Sequence, residues 1–515
     1  MELIQALCEG KQTVKIAYFL DNPVSLGGAG NLLLQQAKLM SEIYEVLVII
    51  PCDVCGAPNS EYEKRCRRLN LKTENLEFPT SYNFYNVDLL GALRCVEKIK
   101  EMSVCHKIDF FHTVQLNVAA EIASRELGIP HLMSIYQLRK DEFKLCAGDI
   151  FAHYHLCDSE LYSNMWRKGL GIESRCIRPV APARQVVGKE DYRKFGLKVL
   201  MLGTVCERKN QLTAIKAIEN CKKNYDIELI IAGDCENPYG EQCRKYIVKK
   251  KLEQTVRMVG FVSDIRELLI SCDCFLCAST DESFPSSIVE ALTYDLTIIS
   301  TPVAGVPELF HNGVNSLISE GYEVDDIEEV LTRTYRAHQC NQIADIHEKA
   351  WELWRQNFSP KLIQKQLETY YQYIIDKDTH LKRQTKMEDL VIKAQKADRL
   401  IEKMPEKEVY KRRALYYGLL MPRIQGKRIC IWGAGKLGKQ AYNLIVALNI
   451  GVIVEAFIDK NREGQYLGFP IIKPEDVDHM DIETVIIGFH HNTDEAITFL
   501  AERDWKYNEN IWLLP

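Results

Sequence analysis

The stretch "KVLMLGTVCERKNQLTAIKAI" (198–218) reads as a buried strand, a glycine-containing turn and a helix. The pattern extends in both directions. Toward the carboxyl end come the apolar runs "IELIIAG" (227–233), "VRMVGFV" (256–262), "CFLCAS" (274–279) and "LTIIST" (296–301). Toward the amino end an earlier series opens with the strand "TVKIAYFL" (13–20), the turn "SLGGAGN" (25–31) and the helix "NLLLQQAKLM" (31–40). It continues through "YEVLVII" (44–50), "IDFFHTV" (108–114), "AAEIASRELG" (119–128) and "PHLMSIY" (130–136). Strands alternating with helices at this spacing predict parallel sheets with right-handed crossovers. Two series, each opening on its own glycine turn, predict two doubly wound domains. They join near "CIRPVAPARQVVGKED" (176–191), a stretch with little periodicity.

Beyond these series the texture changes. Ser359 and Pro360 make a helix start, a capping hydroxyl followed by proline in the first turn. Leu362, Ile363, Leu367, Tyr370, Tyr371, Ile374 and Ile375 then fall on one helical face. From about 376 to 425 the chain is polar, strongly charged and predicted helical. "KRICIWGAGKLGKQAYNLIVAL" (427–448) opens a third strand, glycine turn and helix.

Composition narrows the class. A chain of 515 residues suggests about three domains. Hydrophobic residues make up 46% and charged residues 26%, as in ordinary globular protein. A formal net charge of −6 argues against a nucleic-acid footprint. No apolar run reaches the roughly 18 residues that a bilayer span needs. The start "MELIQALCEGKQTVK" lacks the layout of a signal peptide. The 18 cysteines show no repeated framework, so reduced thiols in a cytoplasm are expected. Cys52 and Cys55, with Cys66 nearby, make only half a zinc site. Cys272, Cys274 and Cys277 read as packing residues of a buried strand.

The stretch "DESFPSSIVEALTYDLTIISTPVAGVPELF" (281–310) carries the first chemical hint. Ser283 and Pro285 signal the start of a helix, whose first amides lack intrahelical acceptors and favour an anion such as phosphate. Glu282 precedes that helix and Glu290 lies about one turn into it. A carboxylate suits a vicinal diol better than a phosphate. Two carboxylates around one anion site therefore suggest a nucleoside diphosphate sugar. The plainer alternative is a helix with a favourable acidic start and one surface glutamate. Lys209 tilts the balance: it sits in the turn after the first strand of the second series, where doubly wound sheets bind ligands.

Residues 198 to 320 resemble the donor-binding domain of retaining glycosyltransferases of the GT-B fold, in the large family that includes sucrose synthases and bacterial mannosyl- and glucosyltransferases. The resemblance rests on Gly203, Lys209 and Asn210, "IIAGD" (230–234), "VGFVSD" (259–264), "STDESFPSSIVEA" (279–291) and "TPVAGVPEL" (301–309), in that order. "SLGGAGNLLLQQAKLM" (25–40) is similar to the family's glycine loop and following helix, and "NFSPKLIQKQLETYYQYI" (357–374) to its last helix, which crosses back to the first domain.

The implied architecture is an α/β chain with two Rossmann-like domains facing each other. The first is 1–185, rejoined by the crossing helix 359–376, and the second is the donor-binding domain 186–358. A helical linker, 377–424, and a small Rossmann-like domain, 425–515, follow. The resemblance implies that Lys209, with Arg208, holds the donor diphosphate, that Glu290 binds the ribose and that Glu282 faces the donor sugar. Backbone at Phe284, Pro285, Ser286 and Ser287 shapes that pocket, and Gly27, Gly28 and Gly203 allow close approach. His112 and Tyr136 are the acceptor-side candidates. Three departures stand out: Thr204 where many members carry arginine, Ser283 where glycine is frequent, and no second histidine after His112. The Asp-x-Asp pairs, "DKD" (376–378) and "DVD" (476–478), read as solvated charge, so no metal or other cofactor is expected.

In the third unit Gly433, Gly435 and Gly438 lie between a strand and a helix, with Asp459 ending the next strand. That context suits a nucleotide fingerprint with an acid for a ribose diol. The unit resembles small nucleotide-binding domains of sugar-modifying enzymes, and self-association through it is the competing role. The leading expectation is a cytoplasmic glycosyltransferase for cell-surface glycans, using a nucleotide sugar and a glycan, lipid-linked or small hydroxyl acceptor. The alternatives are a nucleotide-sugar modifying enzyme or oxidoreductase built on the third unit, and a non-catalytic nucleotide-sugar sensor. The basic, apolar stretch 409–428 reads as a docked linker helix, with peripheral contact at the inner membrane face as the second reading.

Overall fold

The computed structural model describes residues 13–21, 28–52, 57–81, 87–136, 152–170, 172–181, 196–262, 264–340, 342–378, 395–396, 399, 420–488, 493–506 and 510–513. Three sheets account for the strands among them. The first joins β1 (Lys15–Phe19), β2 (Glu45–Pro51), β3 (Lys72–Leu76), β4 (Phe110–Val114), β5 (His131–Ser134), β6 (Tyr154–Cys157) and β7 (Glu173–Cys176). Its order is β3-β2-β1-β4-β5-β6-β7, and every pair is parallel.

The second sheet holds β8 (Leu197–Leu202), β9 (Ile227–Ala232), β10 (Val256–Gly260), β11 (Cys274–Cys277), β12 (Thr297–Ser300) and β13 (Leu317–Ile318). Its order is β10-β9-β8-β11-β12-β13, again all parallel. The third comprises β14 (Arg428–Trp432), β15 (Ile453–Ile458), β16 (Gln465–Tyr466), β17 (Phe469–Ile472), β18 (Thr484–Ile487) and β19 (Ile511–Leu513). Its order is β16-β17-β15-β14-β18-β19, parallel except for the short β16–β17 hairpin.

Each sheet winds outward both ways from its own first strand. The strand order therefore reverses between β1 and β4, between β8 and β11, and between β14 and β18. Loops at the carboxyl ends of those paired strands diverge and leave a crevice. The chemistry of the opening stretch is set by the second of these crevices.

The packing follows the sequence pattern. The core strands β4, β5, β11 and β12 are buried along their whole length, as expected for a sheet covered on both faces. Cys272, Cys274 and Cys277 lie in that core, at 4% exposure or less. The helix Pro360–Asp378 packs its predicted face onto the first sheet: Ile363, Leu367, Tyr370, Tyr371 and Ile374 join the cluster of Ile16, Tyr18, Phe110 and Leu132. Leu362 and Ile375 are only partly covered. A further cluster includes Phe111, Met133 and Trp166 from the first sheet's side and Ile429, Ile431 and Leu444 from the third sheet's side. Most of the expected linker 377–424, including the basic segment before Leu420, lies outside the described residues. Among the described residues no helix is long and apolar enough to cross a membrane.

Candidate functional site

The loops after β8 and β11 meet because those strands are neighbours. Gly203 ends β8 with φ +126°, a backbone region that favours glycine. A Cβ built there would lie 3.5 Å from Lys209 Cε, so the lysine stem lies along this glycine. The loop then makes a short 3₁₀ turn, Glu207–Lys209, ended by Asn210 in the left-handed conformation. The Asn210 amide donates to the Tyr322 carbonyl at 3.1 Å and fixes the turn. From the other loop, Thr280 N donates to the Arg208 carbonyl at 2.8 Å.

This arrangement brings three predicted residues together. Glu282 Oε1 lies 2.6 Å from the Arg208 guanidinium and 2.5 Å from Lys209 Nζ. Ser279 Oγ donates to the same oxygen at 3.3 Å. Burial pushes the Glu282 carboxyl up, but the Lys209 and Arg208 charges outweigh it and hold it below its ordinary value. Burial works against the Arg208 charge, yet Glu282 beside it raises the guanidinium above its ordinary value. The result is a half-buried cluster of two cations and one anion at the crevice.

The helix Ser286–Leu292 starts at Pro285, which supplies no side-chain cap. Ser286 and Ser287 in its first turn are half-buried. The Phe284 ring packs into the core against Phe358, at 5.7 Å between centroids, so only its backbone can shape a pocket. Glu290 is half-buried, and burial raises its carboxyl above the usual value, with Arg65 on the first-sheet helix Ser60–Leu69 opposing.

On the first-sheet side the outcome differs. Gly27 lies outside the described residues. Gly28 begins the helix Gly28–Met40, and a Cβ there would meet nothing within 4 Å. The crowded glycine is Gly30, where a Cβ would collide with Tyr62 Oη at 1.9 Å. His112, the acceptor-side candidate, lies inside the first sheet. Its imidazole is fully buried, with Nδ1 2.6 Å from the Tyr371 hydroxyl and Nε2 2.7 Å from Ser134 Oγ. Burial drives its pKa well below the ordinary value, which favours the neutral imidazole. Tyr136 is likewise buried, in the cluster of Ile16, Tyr18 and Tyr371.

The third sheet has its own crevice, a cavity of about 460 Å³ lined by Trp432, Gly433, Lys436, Asp459, Arg462 and Glu495 among others. Gly433 has φ +121°. A Cβ on Gly438 would lie 1.8 Å from the Gly433 carbonyl, so this glycine permits close packing of helix on strand. Asp459 stands at the mouth of this crevice, on the cavity wall. Its Oδ2 accepts from Ala434 N at 3.0 Å, and its Oδ1 accepts from Asn461 N at 2.9 Å and Arg462 N at 3.1 Å. Both oxygens hold the turn together, so the carboxylate braces this loop.

Sequence reasoning missed Asp158, Arg178 and Glu308, which join the first two sheets. Ser283 donates to Asp158 across the junction, and Arg178 lies 2.6 Å from Glu308. Nothing local marks them, because their partners are 125 and 130 residues away.

Residues 188–347 match the family model described as glycosyl transferases group 1, and residues 425–502 match one described as C2185-like, N-terminal. The GPI3 subunit of the phosphatidylinositol N-acetylglucosaminyltransferase of Saccharomyces cerevisiae is 26% identical over 165 residues. That alignment covers 32% of this chain and 35% of the yeast protein, so the chain spans about a third of that relative's length. The UDP-Gal:alpha-D-GlcNAc-diphosphoundecaprenol alpha-1,3-galactosyltransferase of Escherichia coli is 23% identical over 354 residues, 62% of this chain and 87% of that protein. Among solved structures, a glycosyltransferase from Rickettsia africae superposes with a TM-score of 0.60 at 15% identity, over 71% of this chain and 100% of that one. Anabaena HepE in complex with UDP and glucose superposes with a TM-score of 0.58 at 19% identity, over 70% of this chain and 99% of that one. These likenesses establish the two-sheet GT-B fold over that share of the chain.

Proposed function

We propose that this chain is a retaining glycosyltransferase that moves a sugar from a nucleoside diphosphate sugar to a hydroxyl acceptor in cell-surface glycan synthesis. The observation that carries the reading is the cluster of Lys209, Arg208 and Glu282 at the crevice between β8 and β11. When the sugar–oxygen bond breaks, negative charge grows on the diphosphate. Two cations already fixed at the crevice stabilise that charge without rearranging, the largest kind of term in such catalysis. Glu282 keeps the cations oriented and lies where the donor sugar would meet them. Glu290, about one turn into the helix and without a bonded cation among the described residues, would accept the ribose hydroxyls. The first-turn backbone at Ser286 and Ser287 would receive phosphate oxygens.

In this reading 1–185 with 359–376 forms the acceptor-side domain and 186–358 the donor domain. Relatives named for phosphatidylinositol and for a diphosphoundecaprenol acceptor support a lipid-borne acceptor, met at the inner face of a membrane. No metal is required, since the two cations supply the charge.

The test is a panel of UDP-, GDP- and ADP-sugars with an extract as acceptor source, reading diphosphate release. Release from one donor class, with no change in nicotinamide absorbance, supports the proposal. Tight binding without release across the panel supports the sensor alternative instead. The cavity at Gly433 favours a second ligand site, with Lys436 and the helix Lys436–Leu448 facing a phosphate and Asp459 acting as a brace.

A further inference from the structure

The loop that carries Glu282 is held from the opposite sheet. Asp158 stands directly after β6, at the carboxyl end of the first sheet, and is 3% exposed. Its Oδ1 accepts a hydrogen bond from the hydroxyl of Ser283, the residue next to Glu282. Ser159 Oγ lies 3.1 Å from the same hydroxyl. On the other side the Ser283 carbonyl accepts from Gly305 N at 3.0 Å. The contact is thus a fully enclosed polar seam between two separately wound sheets.

A second strap runs beside it. Glu308 accepts from the amides of Glu160 and Leu161, both at 2.9 Å, at the start of the first-sheet helix Glu160–Leu170. Arg178 bonds Glu308 at 2.6 Å and the Asp158 carbonyl at 2.8 Å, and its guanidinium lies 5.1 Å from the Phe284 ring centre. Two straps therefore converge on residues 283 and 284, directly after Glu282.

We propose that Asp158 is a positioning residue of the donor site: through Ser283 it fixes Glu282 from the opposite sheet, so that the Lys209–Arg208–Glu282 cluster is held in register only when the two sheets are in contact. The proposal rests on the reading of this crevice as the donor site. Ser283 is the residue that supplies the hydroxyl to Asp158.

The contact also responds to pH. The groups around the Asp158 carboxyl are Arg178, Glu282, Cys157, Cys176, Tyr136 and Tyr162. Burial raises the thiols and phenols among them, so they are neutral near pH 7; Arg178 favours the Asp158 carboxylate and Glu282 disfavours it. Burial pushes Asp158 up to about 7, with the Ser283 hydrogen bond and Arg178 lowering it and Glu282 raising it. With the sheets apart and the carboxyl in water, its pKa falls to about 3.9. The joined state then keeps its proton where the separated state has lost it. Raising the pH from about 4 to about 7 therefore weakens the contact, and above that no further change comes from this group.

The experiment is steady-state kinetics of Asp158→Ala, Asp158→Asn, Ser283→Ala and Ser283→Thr across pH 5.5–8.5, with hydrogen exchange of the amides in 281–287. Asp158→Ala and Ser283→Ala should each lower kcat about tenfold with little change in donor KM, and the double variant should be no worse than either. Asp158→Asn keeps an acceptor oxygen and has no proton to lose. It should retain most of the activity and abolish the limb near pH 7, and Ser283→Thr should rescue activity. Faster exchange in 281–287 for the two alanine variants reports the loosened loop even when no donor turns over. Unchanged exchange in both overturns the proposal, as does a pH limb that survives in Asp158→Asn. If instead the parent releases no diphosphate while exchange rises as expected, the donor reading fails and the contact stands.

Discussion

The crevices of the second and third sheets share a strand order, a glycine turn after the first strand and an acid near the turn. They use the acid in opposite ways. Glu282 engages two side-chain cations and the Ser279 hydroxyl, and no backbone amide among the described residues. Asp459 engages three backbone amides. A carboxylate bonded to side-chain cations can share them with a ligand's groups at modest cost. A carboxylate bonded to amides cannot leave without orphaning the turn that it holds. The lesson is that topology locates a crevice, but the partners of its acid decide whether that acid is chemistry or scaffold.

The largest expected effect tests the chemical side. Lys209→Ala should lower kcat by about 10²–10³, the loss seen when one charge-stabilising donor is removed. Its melting temperature should fall only modestly, because Arg208 still pairs Glu282 when Lys209 is removed. A folded variant with full activity would remove the second crevice from consideration as the donor site.

Glu282→Gln and Glu290→Gln sharpen the contrast within that crevice. Glu282 acts where charge changes during transfer, so its loss should fall on kcat, by about 10². It should leave nucleoside diphosphate binding intact or tighter, since Lys209 and Arg208 are released from their anion. Glu290 should contact the ribose equally in ground and transition states, so its loss should raise donor KM about tenfold with kcat nearly unchanged. Calorimetric titration with UDP, GDP and ADP alongside the kinetics separates the two. Identical failures would mean that the carboxylates share one role.

Asp459→Ala tests the scaffold side. Three amides lose their acceptor at once, and water can reach part of the site, so a destabilisation of about 2 kcal/mol is expected. Sugar transfer should continue at the parental rate at temperatures where the protein is folded. Chemical denaturation followed by tryptophan fluorescence suits this variant, since Trp432 and Trp512 are buried in that unit. A variant as stable as the parent but with altered ligand binding at the cavity would return Asp459 to the ligand-reading role.

The legibility of the molecule follows the same division. The central strands announced themselves because a strand covered on both faces must be apolar throughout, as in "CFLCAS" (274–279). The edges did not: β3, "KTENL", is mostly exposed and has no apolar signature. Lys209, Arg208 and Glu282 were legible because their motifs lie at loop positions that the strand order brings together. The use of Asp459 was not, since an acid after a strand looks the same whether a ribose or a backbone amide will meet it. The setting of His112 was hidden for a related reason. Sequence places it on a central strand, but its partners come from Tyr371, 259 residues away, and Ser134.

The smallest expected effect lies at Gly435, and it separates the two meanings of a glycine in the third crevice. Its backbone angles, φ −127° and ψ −162°, are open to any residue, and a Cβ there meets nothing within 4 Å. Gly438 is the opposite case, where a Cβ would strike the Gly433 carbonyl. Glycine at 435 is therefore not demanded by the fold. Gly435→Ala should cost only about 0.5 kcal/mol, the difference between glycine and alanine at a helix start. The added methyl would nevertheless stand on the wall of the 460 Å³ cavity, beside Lys436. A ligand that lays a phosphate on this turn should lose about tenfold in affinity, while sugar transfer at the second crevice is unaffected. Calorimetric titration of the parent and of Gly435→Ala with UDP and UDP-sugars, next to their melting curves, decides the matter. Equal binding with equal stability would make the turn a piece of scaffold like Asp459. A large drop in melting temperature would mean that the open space at Gly435 is filled by a neighbouring group in solution.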